Sequence, residues 1–329
     1  MMSEQERQVV VPTHLQLASD MAPFDRRLID MLQVDGRRPY SSIARELRTT
    51  EKTVRRRMLA LRDEGYLRIT TVLDPRLLGF EAMGLVGVNL DGSRTSSEII
   101  AAVATMTEVD YVSTTTGRFD LWIELVCRDK TRLLEILERH IRRLEGVAYA
   151  ELFPYLSLYY QRPQFAGVPT GFGHPVSATR LTIDELDRKI LAELALDGRS
   201  SYLAIGRKLG SSESRVRKRV KRMVTAGAVQ IMAIVNPQSL GYRTMAWLAL
   251  TVAPGARLMV IADAFARLHA VTYVAVCAGR YDLFVEVAFR DDEELLTALD
   301  EQVRVVPGLA SVEVFPYVSL TYKQLLSAG

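Results

Sequence analysis

Two short basic stretches hold the side chains best suited to chemistry with a charged partner. Positions 51–61 read Glu-Lys-Thr-Val-Arg-Arg-Arg-Met-Leu-Ala-Leu, and positions 213–223 read Glu-Ser-Arg-Val-Arg-Lys-Arg-Val-Lys-Arg-Met. Val54, Met58 and Leu61 stand at i, i+4 and i+7, and Val216, Val220 and Met223 repeat that spacing. Each stretch therefore predicts a helix with one apolar face. At 100° per residue, Lys52 and Arg56 lie nearly opposite Val54, flanked by Thr53; the outward face of the second helix holds Ser214, Arg215, Lys218 and Arg222. Arg55, Arg57, Arg217 and Arg219 fall on the flanks. Cationic side chains neutralise phosphates and donate to base edges. A helix of this kind in a major groove of double-stranded DNA reads bases with its outward face and anchors on the backbone with its flanks.

The distribution of charge supports that chemistry. The window 37–68 holds ten Lys+Arg against four Asp+Glu, and 199–230 holds nine against one. These windows carry +6 and +8 in a chain of net charge +3, which leaves the remainder at −11. Positive charge concentrated in two segments is the footprint that a phosphate backbone requires.

Both windows belong to a duplication. Asp35-Gly36-Arg37 matches Asp197-Gly198-Arg199, Leu78-Gly79 matches Leu240-Gly241, Gly117-Arg118-Phe119-Asp120 matches Gly279-Arg280-Tyr281-Asp282, and Phe153-Pro154-Tyr155 matches Phe315-Pro316-Tyr317. Every pair is offset by 162 positions, so the repeat is tandem and free of gaps. In each copy two short helical patterns precede the basic one: Phe24–Gln33 and Tyr40–Leu47, then Ile183–Leu196 and Tyr202–Leu209. Thr50 is placed to cap the first basic helix, and Gly65 and Gly227 to end the two. This is a helix-turn-helix pattern.

An extended piece follows, Leu67–Leu73 or Val229–Val235, closed by Asp74-Pro75 or Asn236-Pro237. The next module reads as strand 83–90, helix 96–106, strands 110–116 and 120–127, helix 130–144 and strand 147–159, with the same order from 245 to 320. The expected fold class is α+β. It comprises a tandem repeat of a winged-type helix-turn-helix domain (23–76 and 181–238) and a ferredoxin-like βαββαβ domain (77–160 and 239–323). Residues 1–22 read as an extension. The Pro- and Gly-rich run 161–180 reads as a linker spanning on the order of 20–25 Å if flexible.

Enzyme chemistry finds little support. His14, His140, His174 and His269 occupy no repeat-equivalent positions, and Cys127 and Cys277 sit in apolar strand-like runs as expected of buried thiols. Neither a phosphate loop, a metal-ligand set nor a nucleophile elbow is present. No cofactor or metal is expected. The chain lacks an apolar run of 18 residues and a signal-like start, so a cytoplasmic protein without membrane association is expected.

The order Asp-Gly-Arg, a Val-x-x-Arg-Val/Met basic helix, Pro, Leu-Gly and Gly-x-Phe/Tyr-Asp resembles the leucine-responsive and asparagine regulators, the Lrp/AsnC family, over nearly the whole chain. The resemblance implies a DNA-binding transcription regulator with a domain that pairs subunits and often senses an amino acid. The double length implies one chain acting as a pseudo-dimer, with chains associating further. It also implies that an effector binds near the Gly117, Arg118, Asp120 and Gly279, Arg280, Asp282 turns, where backbone amides hold a carboxylate and aspartate an ammonium. As structure alone, each turn is a hairpin in which Gly takes positive φ and Asp bonds its own backbone. Two alternatives remain: a small-molecule sensor or interaction protein with a vestigial helix-turn-helix, and an enzyme similar to the sirohaem decarboxylases. The second calls for histidine and arginine near the second and third strands of the regulatory-type domain; Arg118 and Arg280 are there, but no histidine is.

Overall fold

Three helices open each half of the chain because their apolar positions repeat at helical spacing, and four of the six are capped by a side chain at the N-terminus. The computed structural model describes residues 21–73, 75–161, 181–235 and 240–322; the extension through residue 20, nearly all of the linker, Asp74 and the Asn236-Pro237 pair lie outside them. In the first half, α1 (Pro23–Val34), α2 (Tyr40–Glu46) and the basic α3 (Glu51–Asp63) follow one another, and Thr50 Oγ1 accepts from Thr53 N at 3.2 Å as the cap. Val54, Met58 and Leu61 are buried, as their spacing required. Strand β1 (Leu67–Leu73) comes next.

The first ferredoxin-like module is β2 (Ala82–Leu90), α4 (Ser96–Val103), β3 (Val109–Thr115), β4 (Leu121–Cys127), α5 (Lys130–Glu135) and β5 (Val147–Gln161). The second half repeats this as α6 (Glu185–Leu196), α7 (Tyr202–Lys208), the basic α8 (Glu213–Thr225), β6 (Val229–Val235), β7 (Thr244–Val252), α9 (Leu258–Ala266), β8 (Val271–Cys277), β9 (Leu283–Phe289), α10 (Asp292–Ala298) and β10 (Leu309–Tyr322). One difference from the sequence expectation recurs in both modules. The long helix after the third strand is α-helical for only its first turns and continues as a wider π-helical segment, Ile136–Ile141 and Leu299–Val303.

The strand after each basic helix pairs across the duplication. β1 and β6 form an antiparallel ribbon in which Thr70 faces Met232, its own counterpart at an offset of 162, so the ribbon is symmetric about that pair. Its closure lets the two helix-turn-helix units share a single apolar core, with Leu28, Ile43 and Val54 from one and Ile190, Ile205 and Val216 from the other.

The two ferredoxin-like sheets likewise join. Each has its strands in the order β3-β4-β2-β5 or β8-β9-β7-β10, and pairings of β5 with β8 and of β10 with β3 close the eight into one barrel. Residues 147–154 of β5 pair with β2, and from Tyr155 the strand pairs with β8; β10 changes partner in the same way between Pro316 and Tyr317. Pro154 and Pro316 mark those crossings, where a residue without an N–H interrupts least, because the strand is changing ladders there. The barrel interior is aromatic. Phe119, Trp122, Phe153, Trp247, Phe284 and Phe315 are buried together, while α4, α5, α9 and α10 cover the outer faces. Gly87 is required by this filling, since a Cβ there would stand 2.7–2.8 Å from the Phe119 ring.

A polar cluster lies at the seam of the barrel. Glu124, 2% exposed, accepts from Tyr155 Oη at 3.0 Å and from Tyr273 Oη of the other module at 2.7 Å. Burial, reinforced by the neighbouring Asp110, holds the Glu124 carboxyl well above the usual range, and burial pushes Asp110 up to about 6. The counterpart Glu286 accepts from Tyr317 Oη at 2.8 Å and from Thr272 Oγ1 at 2.6 Å, with Thr272 standing where the first module has Asp110.

Candidate nucleic-acid interface

Helices α3 and α8 each turn one face to their core and leave the opposite face uncovered. On α3, Lys52, Arg55 and Arg56 are exposed and, among the described residues, make no ion pair or side-chain hydrogen bond; Thr53 is half-buried, its hydroxyl 2.9 Å from that of Thr50. On α8, Ser214, Arg215 and Lys218 are exposed, and Lys221 joins them. An open groove along this face is lined by Ser212, Glu213, Ser214, Arg217, Lys218 and Lys221. Lys221 is absent from the sequence-derived set, although its position three residues after Lys218 puts it on the same side of the helix.

Other basic residues expected at the interface are engaged within the protein. Arg57 forms a bidentate pair with Asp25 of α1, Nε to Oδ1 at 2.6 Å and Nη2 to Oδ2 at 2.8 Å, which holds its guanidinium above the ordinary arginine value. Asp25 is nearly fully buried and satisfied by this fork. On α8, Arg219 donates to Asp184 at 2.7 Å and Asp187 at 2.9 Å, and Arg222 donates to Asp187 at 2.5 Å. Asp187 is itself fully buried and closes a capping box with Asp184 at the start of α6. Arg57, Arg219 and Arg222 thus fasten each basic helix to the first helix of its unit. Arg217 pairs with Glu213 one turn back and stands 5.6 Å from the Tyr202 ring.

The Gly117–Asp120 and Gly279–Asp282 turns are structurally committed in the same manner. Gly117 and Gly279 have φ of +112° and +130°, the conformation that favours glycine. Asp120 Oδ2 accepts from Leu90 N at 2.8 Å, and Asp282 Oδ2 accepts from Val252 N at 2.7 Å, so each carboxylate ties its hairpin to the end of the first strand of its module. Arg118 bonds Glu313 of the other module at 3.0 Å, and Arg280 bonds Glu151 at 3.3 Å, an equivalent pair of bridges across the barrel. Both arginines remain about half exposed.

His140 and His269 are exposed; His14 and His174 lie outside the described residues. Cys127 and Cys277 are buried free thiols, both pushed up to about 12 by burial. Among the described residues no group of three or more His, Cys, Asp or Glu is placed to hold a metal ion, and no helix is long and apolar enough to cross a membrane.

The family model of the AsnC-type helix-turn-helix domain matches residues 21–62 and again 183–224, and that of the Lrp/AsnC ligand binding domain matches 83–165. A model described as a C-terminal dimeric alpha+beta barrel domain matches 256–326. An uncharacterized HTH-type transcriptional regulator of Pyrococcus abyssi is 34% identical over 135 residues, 41% of this chain and 85% of the relative. The chain belongs to the Lrp/AsnC family. Another relative, the HTH-type transcriptional regulator FL11 of Pyrococcus abyssi, is 30% identical over 131 residues, 40% of this chain and 85% of that protein. Among solved structures, the siroheme decarboxylase NirDL superposes with a TM-score of 0.58 over 92% of this chain and 95% of its own, at 18% identity. That likeness concerns the fold alone, and it extends through both halves of this double-length family member.

Proposed function

We propose that the chain is a sequence-specific transcription regulator that binds double-stranded DNA as a pseudo-dimer, with α3 and α8 reading two unequal half-sites. One observation carries this reading. Both basic helices leave an uncovered face of uncompensated cations, while Arg57, Arg219 and Arg222 are bound to buried aspartates that fix the helix in its unit. The two faces differ, with Lys52, Arg55 and Arg56 on one and Ser214, Arg215, Lys218 and Lys221 on the other, so a perfect palindrome is not the expected operator. Footprinting on the region upstream of the gene tests it. Replacing Lys52 and Arg56 by Ala should weaken protection of one half-site, and replacing Arg215 and Lys218 should weaken the other. Identical footprint changes from the two variants would refute separate reading.

The effector reading rests on the Arg118–Glu313 and Arg280–Glu151 bridges. Exposed pairs of this kind contribute little, so the carboxylate and ammonium of a free amino acid can exchange for either partner and change how the modules are tied. Further association of chains draws on Leu156 and Val318, equivalent residues that are 68% and 64% exposed. A thermal-shift screen over amino acids, repeated with operator present, tests the first idea, and light scattering tests the second.

A further inference from the structure

We propose that the Asp-Gly-Arg turn after the first helix of each unit sets the distance and rotation between the two recognition helices, and through them the half-site spacing that the protein accepts. The inference rests on the DNA-binding reading above. It concerns a motif that the recognition faces themselves do not use.

The turn works across the ribbon. Gly36 N donates to Ile231 O at 2.8 Å and Gly198 N donates to Ile69 O at 2.8 Å, so each turn is hydrogen-bonded to the strand of the other unit. Neither glycine leaves room for a side chain. A Cβ on Gly36 would stand 2.8 Å from Ile69 Cγ2 and from the Met232 backbone, and one on Gly198 would stand 2.8 Å from Ile69 Cγ2 and 2.9 Å from Ile231 Cγ2. Asp35 Oδ1 accepts from Arg37 N at 2.8 Å and Asp197 Oδ1 from Arg199 N at 2.9 Å, which fixes the direction in which each arginine leaves the turn.

The arginines then exchange. Arg37 Nη1 donates to Gly198 O at 2.7 Å and Ser200 O at 3.0 Å, and its guanidinium lies 4.2 Å from the Tyr202 ring. Arg199 donates to Gly36 O at 2.9 Å and Arg38 O at 2.7 Å, and lies 4.1 Å from the Tyr40 ring. Among the described residues neither makes an ion pair; carbonyl oxygens and ring faces hold them, a geometry that a planar fork of donors satisfies and an ammonium does not. Tyr40 and Tyr202 are the first residues of α2 and α7, the helices packed against α3 and α8. Each arginine therefore grips the positioning helix of the opposite unit, and the recognition helix follows it. The ribbon alone leaves its own twist free to vary, whereas two crossed grips on either side of the Thr70–Met232 pair remove that freedom.

The test uses the full chain and a duplex selected by it from a random-sequence library, together with an isolated half-site duplex and a series carrying central insertions of up to about ten base pairs, one helical turn. With both helices engaged, an insertion of about five base pairs should weaken wild-type binding on the order of 100-fold, the loss expected when geometry forbids simultaneous contact. Arg37→Ala/Arg199→Ala should reduce that penalty to less than about 10-fold while leaving half-site affinity unchanged. Gly36→Ala/Gly198→Ala, which wedges the units apart, should move the preferred spacing. If the arginine variant keeps the wild-type insertion penalty, or if its half-site affinity falls in parallel, the turn does not set spacing and the inference is overturned. Should the glycine variant not fold, the arginine variant alone decides the question. A wild-type chain that selects no duplex would instead overturn the DNA-binding reading itself.

Discussion

Raising the salt from about 50 to 200 mM should weaken operator binding roughly 10³-fold, and the figure follows from which cations the fold leaves free. Among the described residues, Lys52, Arg55 and Arg56 on α3 and Arg215, Lys218 and Lys221 on α8 are exposed without an anionic partner. At about 0.9 released counterions per neutralised phosphate, these side chains give a log–log slope of about −5, and a fourfold rise in salt then gives the loss stated. Arg57, Arg219 and Arg222 are left out because Asp25, Asp184 and Asp187 already hold them. Fluorescence anisotropy of a labelled operator over a potassium chloride series measures the slope directly. Lys52→Ala should flatten it by about 0.9, and Arg57→Ala should leave it unchanged. A slope near −8 or steeper, or an Arg57→Ala variant that loses a full unit, would show that the aspartates release their arginines to the DNA and would refute the division of labour. A slope near zero would refute phosphate contact altogether.

Three further outcomes follow from the packing and the buried acids. Gly87→Ala forces a methyl against the Phe119 ring and should destabilise the barrel by about 1–3 kcal/mol, seen as a fall of roughly 3–10 °C in Tm by calorimetry; an unchanged Tm would mean that the ring moves freely. Asp187→Ala removes the shared acceptor of Arg219 and Arg222 and should lower stability by about 1.5–3 kcal/mol in denaturant titration, whereas Lys52→Ala should be neutral. The Asp110 carboxyl has its pKa raised from the ordinary 3.8 to about 6, so the native state holds a proton that the unfolded chain has released. Stability should therefore decline as pH rises from about 4 to 6, and Asp110→Asn should lessen that decline, the raised Glu124 carboxyl supplying the rest; a variant with the wild-type profile over this window would exclude Asp110 as a source.

Much of the architecture was legible in residue order alone. The constant offset of 162 revealed the duplication, and the i, i+4, i+7 apolar residues placed α3 and α8 to within a residue or two. The partners of those elements were not legible. Alternation identifies β1 as a strand but carries no mark of pairing with β6, and β5 and β10 show only a proline where they leave one sheet for the other. The structure divides the basic residues picked out in the sequence into exposed cations and cations tied to carboxylates. Helical geometry puts Arg57 and Arg219 on a flank, but whether a flank faces solvent or a buried carboxylate depends on residues 32 to 35 positions away. The Asp-Gly-Arg turn served as an alignment marker in the sequence, because the reach of its arginine into the other unit exists only after the ribbon has formed.

The aromatic filling of the barrel bears on inheritance. Trp122 stands opposite in the repeat to Phe284, and Trp247 to Leu85, so the bulk of each half is set against a different residue in the other. Were the halves separate polypeptides, two first halves would meet with leucine at both Trp247 positions, and two second halves would crowd both indoles against both Phe284 rings. A single gene avoids these mismatched associations by delivering unlike halves in equal number. A mutation in α3 or α8 then appears once per joined pair of halves instead of twice, so under the proposed DNA-binding function the two half-sites of an operator could drift apart without a compensating change in both.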